Sequence, residues 1–255
     1  MAGADVTMGI DLAADPKRTA MARLSWHEGV AELTTLELVC SDYLVLRWMN
    51  DADAIVGIDC PFGWPTAFVD LVSGRAQVAD IGDLPEGWRR EYVLRATDRW
   101  VHEKIGLRPL SVSTDKIGAV AIRLAGLLTG LDSHVHAPRD GSGSLAEVYP
   151  AAALRVWGLP HRGYKSAPDV ATRQRNAVTR ERLVDALLAA APWLLLGPYE
   201  AEVRRSDDAL DAVICALVAR AVRIGATHPV EDRESALAEG WIHVPSRPLA
   251  DLRPR

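Results

Sequence analysis

The sequence predicts an α/β fold: a mixed five-stranded sheet flanked by helices, with a helical insertion over about residues 66–140. Three observations predict it. Three short runs with partial apolar alternation, separated by turn pairs, fill the chain from Val6 to Val39 and read as an antiparallel meander. Ala54–Asp59 is a continuous apolar run, the type of strand that is buried on both faces and lies parallel to its neighbours. Beyond Thr66 the chain has mostly helical length and period, broken by one more short strand at Leu145–Tyr149.

Taken in order, Val6–Ala14 is the first strand, and Thr19–Trp26 and Ala31–Val39 complete the meander, with Asp15-Pro16 and Glu28-Gly29 as turns. Ser41 or Asp42 caps a short helix through Met49. After Ala54–Asp59, the residues Pro61, Gly63 and Pro65 break the chain into a loop. Arg89–Ile105 and Thr114–Leu131 are helices, the second with Ile117, Val120, Ala121, Leu124, Leu127 and Leu128 on one face. Asp132–Ser144 is polar and glycine-rich, hence a loop. Its Asp132, His134 and His136 lack the partner set of a metal site, and Gly141-Ser142-Gly143-Ser144 reads as a turn. Pro150 stops the next strand. Ala151–Trp157, Thr172–Ala191 and Asp208–Ile224 are helices, and Trp241–Val244 is a candidate last strand. With no internal repeat and no long linker, one domain over residues 1–255 is expected. The order of elements matches an RNase H-like sheet, whose first strand is central and whose fourth lies beside it in parallel. Asp11 and Asp59 then end neighbouring strands on one side of the sheet, where open α/β sheets place their ligands.

At 255 residues, 49% hydrophobic and 25% charged, the chain has the composition of a globular protein with a sizeable core. No apolar run reaches membrane-spanning length. The longest, Leu183–Leu196, is interrupted by Asp185 and Pro192. Met1–Thr7 lacks the basic and apolar stretches of a signal peptide. Cys40, Cys60 and Cys215 form no spaced set and leave an odd one over, which suits a reducing cytoplasm. The net charge of −5 argues against a generally basic coat, but the charge is uneven. Residues 1–88 carry 5 basic and 14 acidic side chains, whereas residues 155–182 carry 7 basic and 2 acidic ones. That second segment is a basic surface suited to a phosphate backbone, or simply a solvated helix face.

The chemistry lies in acids set against apolar sequence: Asp11 and Asp59 at strand ends, Glu147 in Leu145–Tyr149, and Asp207-Asp208-Ala209-Leu210-Asp211 opening a late helix. Spacings of three and four put Asp208 and Asp207, respectively, on one helix face with Asp211. Ser206 or Asp207 suits an N-cap, but Asp211 lies one turn further in, before a fully apolar run. The alternatives are a turn-capping role for Asp11 and Asp59, and an ion pair with an arginine for Glu147. One shared site explains all of them together: several like charges are buried side by side when a hard divalent cation gathers them.

Six motifs carry a resemblance: Gly9-Ile10-Asp11, Gly57-Ile58-Asp59-Cys60-Pro61, Arg95-Ala96-Thr97-Asp98, Glu147-Val148-Tyr149-Pro150, Tyr164-Lys165 and Asp207–Ala212. In order and spacing they resemble the DUF429 family of predicted RNase H-like nucleases, over roughly Val6–Val244. Asp11, Asp59, Asp208 and Asp211 are also similar to the acids of Holliday-junction resolvases, while Glu147 belongs to the DUF429 pattern alone. The resemblance implies a metal-dependent nuclease with two Mg²⁺ or Mn²⁺ ions held by Asp11, Asp59, Glu147, Asp208 and Asp211. Its motifs also imply Arg95 and Lys165 as contacts for DNA or RNA phosphate, with a structural ion pair as the alternative for Arg95, and the basic segment adds Arg173. Two other classes stay open. One is a phosphotransferase of the actin/sugar-kinase type, although Leu12-Ala13-Ala14-Asp15-Pro16 lacks its phosphate-cradling turn. The other is a non-catalytic binding protein on the same fold.

Overall fold

The computed structural model describes residues 5–51, 53–78 and 84–254. Its elements are, in chain order, β1 (Asp5–Asp11), β2 (Ala20–His27), β3 (Val30–Leu38), α1 (Asp42–Met49), β4 (Ile55–Asp59), α2 (Thr66–Val72), α3 (Arg90–Val93), α4 (Ala96–Ile105) and α5 (Gly118–Leu128). They continue with β5 (Leu145–Glu147), α6 (Pro150–Val156), α7 (Val170–Ala190), β6 (Leu194–Leu195), α8 (Glu200–Arg205), α9 (Asp207–Arg223) and α10 (Arg233–Glu239). The strands form one mixed sheet in the order β5-β4-β1-β2-β3-β6. β1, β2 and β3 are the antiparallel meander, and β4 and β5 lie parallel beside β1. This is the arrangement expected of an RNase H-like sheet, with α2–α5 forming the helical insertion.

The differences have local causes. A strand at Leu194–Leu195 was not expected. β6 is only two residues long, and it pairs with β3 because Pro192 ends α7 and turns the chain onto the sheet edge. Trp241–Val244 contributes an isolated bridge between Ile242 and Glu147 instead of a strand. The helix expected over Arg89–Ile105 is split at Leu94 and Arg95. Arg95 is extended (φ −67°, ψ 165°) and caps α4, with the Asp98 side chain closing a capping box. Among the described residues, no helix is long and apolar enough to cross a membrane. Cys40, Cys60 and Cys215 are free and buried.

Strand periodicity sorts β1 and β4 into two faces. Val6, Met8 and Ile10, with Val56 and Ile58, pack against α1 and α5 through Val45, Met49, Leu124 and Leu127. Thr7, Gly9 and Asp11, with Gly57 and Asp59, point the other way, and α9 crosses them. The Thr7 hydroxyl donates to the Ala216 carbonyl at 2.9 Å. Thirteen of the 17 residues of α9 are buried, so the helix is enclosed on all sides and its acids have no easy route to water. Small residues make the close approach. Gly9 and Gly57 are paired in register, and a Cβ on Gly9 would sit 1.9 Å from the Ala212 carbonyl oxygen. A Cβ on Gly57 would sit 2.5 Å from the Cys215 carbonyl oxygen. Glycine is required at both positions by space, not by dihedral angle. α7 packs outside α9, and α4, α6 and α10 enclose a further cluster around Trp100 and Trp241.

Candidate functional site

Asp11 and Asp59 are register partners at the carboxyl ends of parallel strands β1 and β4, on the face that α9 covers. Asp211, one turn into α9, completes the group. Asp11, Asp59 and Asp211 each offer a carboxylate oxygen within 4.8 Å of the others. Among the described residues, no other group of three acids, histidines or cysteines is gathered this way. Asp211 is fully buried, while Asp11 and Asp59 are part-buried at the floor of a cleft. The Tyr164 hydroxyl donates to Asp211 Oδ1 at 2.8 Å. Lys165 Nζ lies 2.7 Å from Asp211 Oδ2 and 3.8 Å from Asp59 Oδ2. Asp211 Oδ2 receives no hydrogen bond in good geometry, so the ammonium acts on it as a nearby charge.

The backbone carrying Tyr164 and Lys165 is pinned from both sides. Arg180 donates to the Tyr164 carbonyl at 2.8 Å and the Asn176 amide to the Lys165 carbonyl at 2.6 Å. The Ser166 N–H donates to Asp207 Oδ2 at 3.0 Å. Lys165 is therefore set at the acids by α7 and by the first turn of α9, and only its side chain is free to move.

Burial dominates the electrostatics. It pushes the Asp59 carboxyl up to about 7, against the attraction of Lys165, with Asp211 and Glu147 adding to the rise. Asp11 is held well above the ordinary range by burial, then by the nearby Asp211 charge. Asp211 is raised by burial, although Lys165 and Tyr164 both favour its ionised form. Burial opposes the charge on Lys165, but Asp211 and Asp59 outweigh it and hold the ammonium well above its ordinary value. One ammonium is too little positive charge for three carboxylates, and the acids take up protons instead.

The other expected residues lie apart from this cluster. Glu147 pairs with an arginine, the alternative already weighed for it. Arg95 Nη2 lies 2.7 Å from Glu147 Oε1, and Arg95 Nη1 and the Phe62 N–H donate to Oε2 at 2.8 and 2.9 Å. The same guanidinium donates to Asp98 through Nη2 and Nε and to the Glu239 carbonyl through Nη1. Arg95 is 2% exposed and its donors are taken, so the structure corrects its reading as a phosphate contact. The Arg95–Glu147–Asp98 network is a buried brace joining β5, α4, the end of α10 and the loop after β4. Asp208 turns outward to Arg18, which donates to both of its oxygens at 2.9 Å. Arg173 is exposed and donates to the carbonyls of Ala167 and Pro168, at 2.9 and 2.6 Å. It tethers its own loop and does not face the acids.

Sequence reasoning passed over Tyr164 as a site residue, although Tyr164-Lys165 was a motif, and over Arg18, which gave no signal. Of the residues lining the cleft it named Asp11, Asp59, Arg95, Glu147 and Lys165 and passed over the rest as site residues. The cleft has a volume of about 520 Å³. Asp11 and Asp59 lie in its floor. Leu12, Pro109, Leu110 and Ile117 form an apolar stretch of its wall, and Tyr149, His161, Arg162 and Lys165 a polar one.

The chain was compared with protein-family models, curated proteins and solved structures. No curated protein and no solved structure gives a significant match. The model of DUF429, described as a protein of unknown function, matches residues 9–235, which span β1 to α10 and include Asp11, Asp59, Tyr164, Lys165 and Asp211. On that match the chain belongs to the DUF429 family.

Proposed function

We propose that this protein is a metal-dependent phosphodiesterase that cleaves nucleic acid, with Asp11, Asp59 and Asp211 as its metal ligands. One observation carries the reading: three carboxylates from two strands and a helix meet within 4.8 Å at the floor of a cleft. The donor set fits a hard divalent cation. All three ligands are carboxylate oxygens, Asp211 Oδ2 is buried with the Lys165 ammonium beside it, and burial has left the group short of positive charge. Three carboxylates and the Lys165 ammonium carry a net charge of −2, which one Mg²⁺ or Mn²⁺ balances. Glu147 and Asp208 are committed elsewhere, so the donor set favours one protein-held ion over two. When bound, the cation supplies Lewis acidity toward a phosphate oxygen and lowers the pKa of a coordinated water.

The remaining steps belong to the chain itself. Tyr164 at Oδ1 and Lys165 at Oδ2 hold the Asp211 carboxylate in one orientation. Lys165 and Arg162, with His161 beside them in the cleft wall, face a phosphate once the acids are neutralised, and they belong to the basic segment 155–182. The test is cleavage of a panel of single- and double-stranded DNA and RNA with Mg²⁺, Mn²⁺ or EDTA. Cleavage should require the metal and should be lost in Asp11→Asn and Asp211→Asn. Metal-saturated protein that ignores every oligonucleotide but binds ATP tightly would instead make the phosphotransferase reading the better one.

A further inference from the structure

The cleft is built for less than a duplex. Its volume of about 520 Å³ lies within the range of small-ligand pockets, roughly 300–1,000 Å³. The acids lie at its floor, with Asp211 fully buried and the Asp59 side chain 23% exposed, so a phosphate has to enter the recess to reach them. The two stretches of its wall differ in chemistry. Lys165, Arg162 and His161 offer charge and hydrogen-bond donors, and Tyr149 adds a ring. In the same lining Leu12, Pro109, Leu110 and Ile117 offer no polar side chain, and Leu110 is 54% exposed although large and apolar. A phosphate backbone alone leaves that wall without a partner, whereas a flat, unpaired base covers it.

The insertion holds this wall in place. Arg123 of α5 donates to the Ala13 carbonyl and the Thr19 hydroxyl at 2.5 and 2.6 Å, and to Asp42 at 2.7 Å. The middle of α5 is thereby tied to the loop that leaves Asp11.

From these features, and resting on the phosphodiesterase reading above, we propose that the site takes one unpaired nucleotide. Its phosphate would lie toward the acids and Lys165, and its base against the apolar wall that includes Leu110. Free mononucleotides and the ends or unstacked bases of a single strand share this chemistry. A paired duplex does not, because its bases are stacked inside the helix and must be extruded before any pocket can hold them.

Calorimetry on the full chain with saturating Mn²⁺ tests this, using thymidine 5′-monophosphate, inorganic phosphate, a 12-nucleotide single strand and its blunt duplex as ligands. The mononucleotide should bind at least about tenfold more tightly than inorganic phosphate, the size of effect that contacts to one base supply. The single strand should likewise outbind the duplex. Leu110→Ser should weaken the mononucleotide about fivefold or more and leave inorganic phosphate and Mn²⁺ unaffected. Because Leu110 is exposed, this variant keeps the fold. Equal binding of mononucleotide and inorganic phosphate, or of duplex and single strand, overturns the inference. Cleavage of the same strands reads out the phosphodiesterase activity separately. If mononucleotides bind as described but nothing is cleaved, the pocket assignment stands and the phosphodiesterase reading falls. If strands are cleaved while mononucleotides and Leu110→Ser show no effect, the reverse holds.

Discussion

Replacing Asp59 by Asn removes one of three mutually repelling acids without changing its shape, and the outcome reports directly on the electrostatics of the metal-free site. Burial first, then Asp211 and Glu147, lift the Asp59 carboxyl from 3.8 to about 7, with Lys165 working the other way. The folded value is the higher one, so folding favours the protonated acid. That contribution is fully present below about pH 3.8 and is lost as pH rises through about 7. At about 1.4 kcal/mol per pH unit, Asp59 costs about 4 kcal/mol at pH 8, where it is ionised in the fold, and about 2 kcal/mol at pH 5, where it must take up a proton on folding. Asp11 and Asp211 share protons with it, which reduces the part released by one substitution to about half. Asp59→Asn should therefore be more stable than wild type in EDTA by about 2–4 kcal/mol at pH 8 and by about 1–2 kcal/mol at pH 5. For a chain of this size the pH 8 gain is a rise of roughly 4–16 °C in Tm. Thermal unfolding followed by circular dichroism from pH 5 to pH 8 measures it. Added Mg²⁺ should then raise the Tm of the wild type at pH 8 and leave the variant nearly unmoved. A variant less stable than wild type at pH 8, or a gain of equal size at both pH values, would refute the reasoning and make Asp59 a structural partner of Lys165.

Three further substitutions probe other parts of the site. Lys165→Met removes the one ammonium competing for Asp211, so divalent affinity measured by calorimetry should rise about tenfold while metal-free stability falls; an affinity that drops instead would make Lys165 part of the metal-binding state. Arg95→Met leaves Glu147 and Asp98 buried without their cation and should cost about 3–5 kcal/mol in urea unfolding, partly restored by adding Glu147→Gln. An Arg95→Met protein of normal stability would show that the brace is dispensable. Gly9→Ala places a Cβ inside the α9 backbone and should cost more than about 4 kcal/mol, seen as a collapsed Tm or insoluble protein; near-normal melting would mean that α9 can lift off the sheet at little cost.

The acids that meet were legible for a physical reason. Asp11, Asp59 and Asp211 each interrupt or end an apolar run with no compensating charge nearby in sequence, so burial together was the economical explanation. Glu147 carries the same local signal, yet its partner Arg95 lies 52 residues earlier, across the helical insertion. Nothing in the sequence says that α4 begins at Arg95 and aims its guanidinium at β5. Asp208 was assigned by helical spacing alone, and spacing gives the face of a helix but not what waits on it. Here Arg18, 190 residues earlier, captures that side chain. The meander was visible from its partial alternation, and the parallel strands β4 and β5 from apolar runs that proline-containing segments end. β6 was not, because two residues have no period and its place is set by the chain turning at Pro192. The short helices α8 and α10 were missed for the same reason.

The Gly9–Gly57 seat of α9 also determines which parts of the site can change shape. A helix resting backbone to backbone on two strands has no side-chain cushion, so it cannot slide or tilt in small increments. Asp11, Asp59 and Asp211 therefore behave as one rigid body. Adaptation to a ligand falls to what is hung on that body: the Lys165 side chain and the segment bearing Pro109 and Leu110. Two members of the family that handle different molecules should thus differ there while their acid floors superpose.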